Sequence, residues 1–368
     1  MKFTVNRTDI TEAVSNIQRA VSSKTSVPAL ECILVRADEG NLELTAYDLS
    51  LGMTTSIPAR VEDSGKAAIP ARIFSEIVRK TPADTVTVEV DDRRIATIKS
   101  GSYRTEIITT APEEFPEMPK IGDYSSMELP SSVLKSMIRQ TLFAVAEGDA
   151  KPVHQGSLFH LENGQLDVVS VDGYRLAKRT EPTALKEDFS FVVPGKTLGE
   201  MLRLLKDTDD LVSLSADPRH ILVKIDNYTI ISTLLEGEFL NYKSAIPPES
   251  KTEVVVKTRE LIDAVERVSL LITDRLKSPV RCQFSAEEIR LLCTTTMGRA
   301  DDALTPEGFT GDPVEIGFNN RYLLDALRNT ECDEVKIQLG GSLSPMKIVP
   351  KEGDSFLFLV LPVRLKSE

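Results

Sequence analysis

The sequence predicts an α+β chain made of three tandem copies of one domain, each with two helices backed by antiparallel sheets. Three observations carry that prediction. The segment GNLELTAYD at 40–48 returns 124 residues later as GQLDVVSVD at 164–172, and after another 124 as EIRLLCTTT at 288–296. All three alternate apolar and polar residues as a half-buried strand does, with Leu44, Val168 and Leu292 in the same phase. Ile69-Pro70-Ala71-Arg72 returns at the same spacing as Val193-Pro194-Gly195-Lys196 and then as Gly317-Phe318-Asn319-Asn320, each time opening an amphipathic stretch. Several features at one offset and in one order mark an internal repeat.

Each copy opens with a short strand and then a helical pattern: FTVNRTDITEAVSNIQRAV, MELPSSVLKSMIRQTLFAV and VVVKTRELIDAVERVSLLI. Ile10, Val14, Ile17 and Val21 fall on one helical face, as do Leu261, Val265, Val268 and Ile272. The expected first helices cover 6–22, 131–145 and 258–272. The second helices cover 71–80, 195–206 and 319–330, and about eight short alternating segments per copy supply the sheets. The domains are expected at 1–121, 127–247 and 253–368. The joints EFPEMPKIGDYSS and IPPESKTE are rich in Pro, Gly and Ser, as linkers are.

The 368 residues are 41% hydrophobic and 27% charged, an ordinary globular composition that argues against wholesale disorder. The N-terminal MKFTVNRTDI has no apolar core of a signal peptide, and no stretch approaches the length of a membrane span. Cys32, Cys282, Cys293 and Cys332 form no metal-ligand spacing and read as reduced, structural thiols of a cytoplasmic protein. No metal and no cofactor is expected.

The formal charge is −12, unsuited to a bulk nucleic-acid coat, but the charge is divided. The six expected helices carry fourteen basic and eight acidic side chains, a net +6, which leaves −18 on the remainder. Arg72, Lys135, Arg139, Lys196 and Arg203 belong to that basic helical set. Such a split fits helices that face a polyanion on an acidic body. Without interleaved aromatics or a recognition-helix motif, a contact with DNA would read phosphates and not sequence.

Catalytic patterns are sparse. There is no nucleophile elbow, and Gly340-Gly341 lacks the Lys-Ser/Thr of a phosphate loop. Asp172-Gly173 between alternating runs reads as a turn. A hydrolase built on Ser170, His154 and Asp172 is the rival enzymatic reading, and it predicts turnover that depends on His154 and Asp172. The chain is therefore read as a non-enzyme.

MKFTV, IPARIF, SVDGYRLAKR, EIGFNNRYLLDAL and the terminal LVLPVRL together resemble the bacterial sliding clamp family, the beta subunit of the replicative DNA polymerase. The resemblance spans essentially the whole chain. It implies three DNA-clamp domains, a head-to-tail homodimeric ring around duplex DNA with helices lining the hole, and no catalytic activity. It implies partners as well: the replicative polymerase, the clamp loader, and other polymerases and repair proteins that insert short Gln-, Leu- and Phe-containing peptides. It places the protein in the cytoplasm, at the nucleoid.

Carried over residue by residue, the peptide pocket comprises Val171, Gly173, Tyr174, Arg175 and Leu176, then Leu240, Tyr242 and Ile246, then Asn319 and Tyr322. Leu359, Val360, Leu361, Pro362, Val363 and Arg364 complete it from the C-terminal strand. Lys24 and Lys151 join the DNA-facing set, and Ile107 and Leu271 fall at the ring interface. The chain departs from the family pattern at Leu240, Ser244, Ala245, Val171 and His154, and in the terminal Lys366-Ser367-Glu368. These departures bear on peptide preference. The alternative from another class is a monomeric three-repeat protein-binding scaffold with no DNA role.

Overall fold

The computed structural model describes all residues except 23–24, 122–124, 149–150, 186–187, 274–275, 277 and 366–368. Lys24 and the terminal Lys366-Ser367-Glu368 therefore lie outside the described residues. Among the described residues the seven α-helices are α1 (Arg7–Ile17), α2 (Ala71–Lys80), α3 (Ser131–Leu142), α4 (Gly195–Leu204), α5 (Tyr242–Ala245), α6 (Thr258–Val268) and α7 (Asn320–Arg328). Six of them coincide with the expected helices, and several are shorter. Both α1 and α6 finish in a tighter three-residue turn, Gln18–Ala20 and Ser269–Leu271, as helix ends commonly do. The one-turn helix α5 was not anticipated.

The 124-residue period is visible in the strands. Asn41–Tyr47, Gln165–Val171 and Ile289–Thr295 begin 124 residues apart, and Leu44, Val168 and Leu292 are all buried. Helix α1 starts after Asn6, whose side chain accepts from the backbone N–H of Thr8 at 2.8 Å and satisfies a donor the helix cannot. Its apolar stripe of Ile10, Val14 and Ile17 is fully buried. In α6 the same stripe, Leu261, Val265 and Val268, is buried too.

All strand pairs among the described residues are antiparallel, in four sheets. A five-stranded sheet runs in the order Arg60–Asp63, Lys2–Asn6, Thr85–Val90, Ile95–Ser100, Tyr103–Ile108. An eight-stranded sheet places Ser125–Pro130, Leu211–Ala216, His220–Ile225 and Tyr228–Thr233 of the second repeat beside Leu51–Pro58, Asn41–Tyr47, Cys32–Asp38 and Gly65–Pro70 of the first. A nine-stranded sheet joins Phe189–Pro194, Gly156–Glu162, Gln165–Val171 and Arg175–Pro182 of the second repeat to Phe356–Val360, Met346–Pro350, Glu334–Leu339, Thr252–Lys257 and Gly308–Thr310 of the third. The fourth sheet is Gly298–Leu304, Ile289–Thr295, Val280–Phe284 and Val314–Phe318.

Two sheets thus cross repeat boundaries, and they do so by one rule. Leu51–Pro58 of repeat one pairs with Tyr228–Thr233 of repeat two, and Arg175–Pro182 of repeat two pairs with Phe356–Val360 of repeat three. The ends of the two junctions also agree. The Thr233 N–H donates to Ser50 O at 2.8 Å, and the Leu361 N–H donates to Tyr174 O at 2.9 Å. Consequently the chain divides into two compact units that split the second repeat: Met1–Ser132 with Arg203–Leu234, and Val133–Leu202 with Leu235–Glu368. The first unit buries Phe3, Leu44 and Phe74 at its centre, and the second buries Phe318, Phe356 and Phe358.

Two glycines test how tightly this scaffold is packed. A Cβ at Gly156 would lie 2.3 Å from the carbonyl oxygen of Val193 on the neighbouring strand, whereas one at Gly199, inside α4, meets nothing within 4 Å. Gly156→Ala is expected to cost about 1–3 kcal/mol, because a backbone atom must move. Gly199→Ala should stabilise by about 0.5–1 kcal/mol through the lower entropy of the unfolded chain. Urea denaturation of the two variants against the parent checks both signs.

Candidate functional site

Asp172 closes the hairpin between Gln165–Val171 and Arg175–Pro182. Its Oδ1 accepts from the backbone N–H groups of Tyr174 and Arg175, both at 2.9 Å, and Gly173 supplies the left-handed turn conformation at φ +89°. The same turn in repeat one is closed by Asp48, whose Oδ1 accepts from Ser50 and Leu51. The Asp-Gly reading as a turn holds. The hydrolase reading does not survive the geometry. The Ser170 hydroxyl pairs with Ser157 at 2.7 Å, Asp172 serves its own turn and Arg175, and the ring of His154 packs edge-on against Phe239.

The turn points Arg175 inward. Its side chain is only 7% exposed and bonds Asp172 at 2.9 Å and Asp325 of α7 at 2.5 Å. The guanidinium also lies 4.7 Å over the ring of Tyr322. A buried arginine held by two carboxylates and a ring is a fixed post. Around it opens a cleft of about 750 Å³ within the second unit. Val171, Gly173, Tyr174, Arg175, Leu240 and Tyr322 line it, with His154, Lys151 and Arg321. Tyr174 and Tyr322 stack at 5.6 Å to form an aromatic shelf. A second cleft of about 620 Å³ shares Glu147, Arg175 and Arg321 with the first.

The other expected pocket residues are placed differently. Leu176 and Leu359 are buried in one apolar cluster with Val171 and Tyr242, against which Ile246 packs. Val360 is fully buried in the neighbouring core cluster. Tyr242 and Ile246 line a separate cleft of about 430 Å³ with His160, Glu162 and Asp167, so the structure divides residues that the sequence grouped. Asn319 caps α7 by accepting from the N–H groups of Arg321 and Tyr322. Leu361, Pro362, Val363 and Arg364 do not line the 750 Å³ cleft. Leu361 is bound to Tyr174 O at its rim, and the Val363 N–H donates to Gly317 O.

The segment that brings Leu240 to the cleft is anchored from below. The Tyr242 hydroxyl donates to Asp167 Oδ2 at 2.8 Å, and burial followed by that carboxylate pushes the phenol pKa up. The Lys347 ammonium donates to Pro247 O at 3.1 Å, and Lys243 pairs with Glu162. Burial, with the nearby Lys151 charge, holds the His154 imidazole below its usual pKa. Among the described residues its Nε2 has no hydrogen-bond partner. None of these anchors has a periodic signature, so the sequence could not flag Asp167 or Lys347.

The basic helical residues lie mostly at the surface. Arg72, Arg139, Lys151, Lys196 and Arg203 are exposed and Lys135 is half-buried. Arg139 pairs with Glu331 at 2.6 Å. At the expected interface Ile107 and Leu271 are half-buried, while their neighbours Ile108 and Leu270 are 77% and 81% exposed. No group of acidic, His or Cys side chains among the described residues could hold a metal, and none of their helices is long and apolar enough to cross a membrane.

Three family models match the chain in succession: the N-terminal domain of the DNA polymerase III beta subunit over residues 1–119, its central domain over 128–241 and its C-terminal domain over 243–364. The chain belongs to the bacterial beta sliding clamp family. A beta sliding clamp of Bacillus subtilis is 32% identical over 376 residues, covering 99% of this chain and 100% of the relative. One of Synechococcus elongatus is 31% identical over 377 residues, with 100% of both covered. The crystal structure of the Bacillus subtilis sliding clamp matches with a TM-score of 0.95 at 31% identity over 100% of both chains. A Bartonella birtlesii sliding clamp, solved bound to griselimycin, matches with a TM-score of 0.93 at 28% identity over 99% of this chain and 100% of that one. The three tandem clamp domains are those of this family, and the role is that of a DNA sliding clamp.

Tyr242→Phe removes one donor from a buried carboxylate and leaves the ring in place. It should cost about 1–3 kcal/mol of stability, the usual penalty for a buried polar group that loses its partner. Thermal unfolding of the variant checks this, and an unchanged midpoint would mean that the bond does not hold the segment.

Proposed function

We propose that two copies of this chain close head to tail into a ring that encircles duplex DNA, and that the 750 Å³ cleft receives short peptides of the replicative polymerase, the clamp loader and repair proteins. The observation that carries the ring is the pair of unmatched sheet edges. Leu51–Pro58 and Arg175–Pro182 each pair with the last strand of the following repeat, and their counterpart in repeat three, Gly298–Leu304, is a sheet edge. Tyr228–Thr233 and Phe356–Val360 have their counterpart in Tyr103–Ile108, also a sheet edge.

Pairing Gly298–Leu304 of one copy with Tyr103–Ile108 of the next makes the same junction a third time. The two edges are unlike, so the contact is heterologous, and two copies joined this way at both ends leave neither edge open. Each edge carries an exposed apolar side chain: Ile108 lies on one, and Leu270 sits in the turn packed beside the other. Ile107 and Leu271, half-buried, would complete the same contact.

Arg72, Lys135, Arg139, Lys196 and Arg203 supply the helical charge for a diffuse contact with phosphates, which permits sliding because no base is read. In this reading the ring acts without catalysis, in the cytoplasm. Val171, Leu240 and the Tyr174–Tyr322 shelf offer an apolar seat for a Leu or Phe side chain. A family member bound to griselimycin is consistent with a ligand-binding surface on this fold.

Native mass tests the ring. The parent should run at about 81 kDa, twice the chain mass of 40.6 kDa. Ile108→Asp or Leu270→Asp would bury an unpaired charge at the junction, costing several kcal/mol, and each should give folded monomers. A parent of 40.6 kDa would favour the monomeric scaffold instead. Unchanged dimer mass in both variants would move the interface elsewhere.

A further inference from the structure

We propose that the occupant of the 750 Å³ cleft is an apolar peptide flanked by acidic residues, and that Lys151 and Arg321 are the residues that select those flanks. This rests on the reading of the cleft as the partner-peptide site and adds the chemistry of the flanks to it. The floor is apolar and aromatic, and the charge at its rim is unequal. Three carboxylates stand near it: Asp172, Asp325 and Glu147. Arg175 engages the first two, at 2.9 and 2.5 Å, so both are held in the wall and one of their two charges is offset there. Glu147 meets Arg321 only at 3.7 Å, with the two side chains 86% and 68% exposed, a pair that contributes little and is readily exchanged for another acid.

On the cationic side Lys151 lines the cleft and, among the described residues, pairs with no carboxylate. Arg321 lines both adjoining clefts from the first turn of α7, so it is placed to meet residues that run from the one to the other. The N-terminal end of α7 adds its own partial positive charge on the same side. Among the exposed charges at the rim, two cations, Lys151 and Arg321, stand against one carboxylate, Glu147, at the mouth of an apolar seat. A chain segment carrying acids beside its apolar plug matches both parts, and a cleft of this size suits a short peptide and not a duplex.

The test is a fluorescence titration of a labelled Gln-Leu-Ser-Leu-Phe peptide in three forms, flanked by two Glu, two Gln or two Lys, against the full-length protein. The Glu-flanked form should bind about three- to tenfold tighter than the Lys-flanked form, the scale of two exposed ion pairs, and the difference should shrink in 1 M salt. In Lys151→Glu/Arg321→Glu the order of the flanks should reverse, whatever the change in affinity for the Gln-flanked peptide, and a misfolded variant could not produce that reversal. Equal binding of all three forms overturns this inference and leaves the peptide cleft standing. Absence of binding by any form overturns the cleft reading itself. If the double variant keeps the parent's order of flanks and only loses retention on circular DNA, the two cations serve the duplex and the inference fails.

Discussion

The hydrogen-bonding demand of sheet edges governs this molecule. A strand with one unpaired side presents a row of donors and acceptors that water or another strand must satisfy. Here each internal repeat boundary is crossed by a strand pair, Thr54 opposite Thr229 at the first and Ala177 opposite Phe358 at the second. No linker sets those junctions. They are held by the same ladder bonds that hold the sheets, and for that reason the compact units do not follow the repeats. The same constraint leaves two unlike edges at the two ends of the series, and the proposed ring rests on them.

The cleft is a by-product of the second junction. Arg175–Pro182 is the strand that pairs across the boundary, and the turn that starts it projects Tyr174 and Arg175 toward Tyr322 and Asp325 of the third repeat. The interactions that fasten one repeat to the next thereby build the wall of the cleft proposed to receive peptides. The equivalent turn at Asp48 and Leu49 lacks an arginine and a tyrosine at the matching positions, which are Leu51 and Ser50. The two junctions thus share their strand pairing and differ in the side chains that their turns present.

Much of the fold was legible because period is a sequence property. The alternation around Leu44, Val168 and Leu292 and the stripe of Ile10, Val14 and Ile17 fixed strand and helix positions to within a few residues. The sheets that cross repeats were not legible, since pairing between residues far apart in sequence leaves no periodic trace. At the site, the resemblance brought the Val171–Arg175 turn, Leu240 and Tyr322 to one cleft. It could not separate residues that line the cleft from those that support it. Leu359 and Val360 are apolar in either role, and only burial tells them apart. Tyr242 has a polar end, and its partner Asp167, 75 residues away, draws it to the other side of its segment.

In the proposed ring, this chain holds DNA by topology through a closed series of like junctions. The most direct measurement is retention on nicked circular duplex after loading, followed by linearisation of the same DNA. A closed ring held by weak phosphate contacts should stay on the circle in moderate salt and run off once a free end exists. Equal retention on circular and linear DNA, or loss from both with the same salt dependence, would mean that surface binding and not encirclement holds the protein, and would contradict the account.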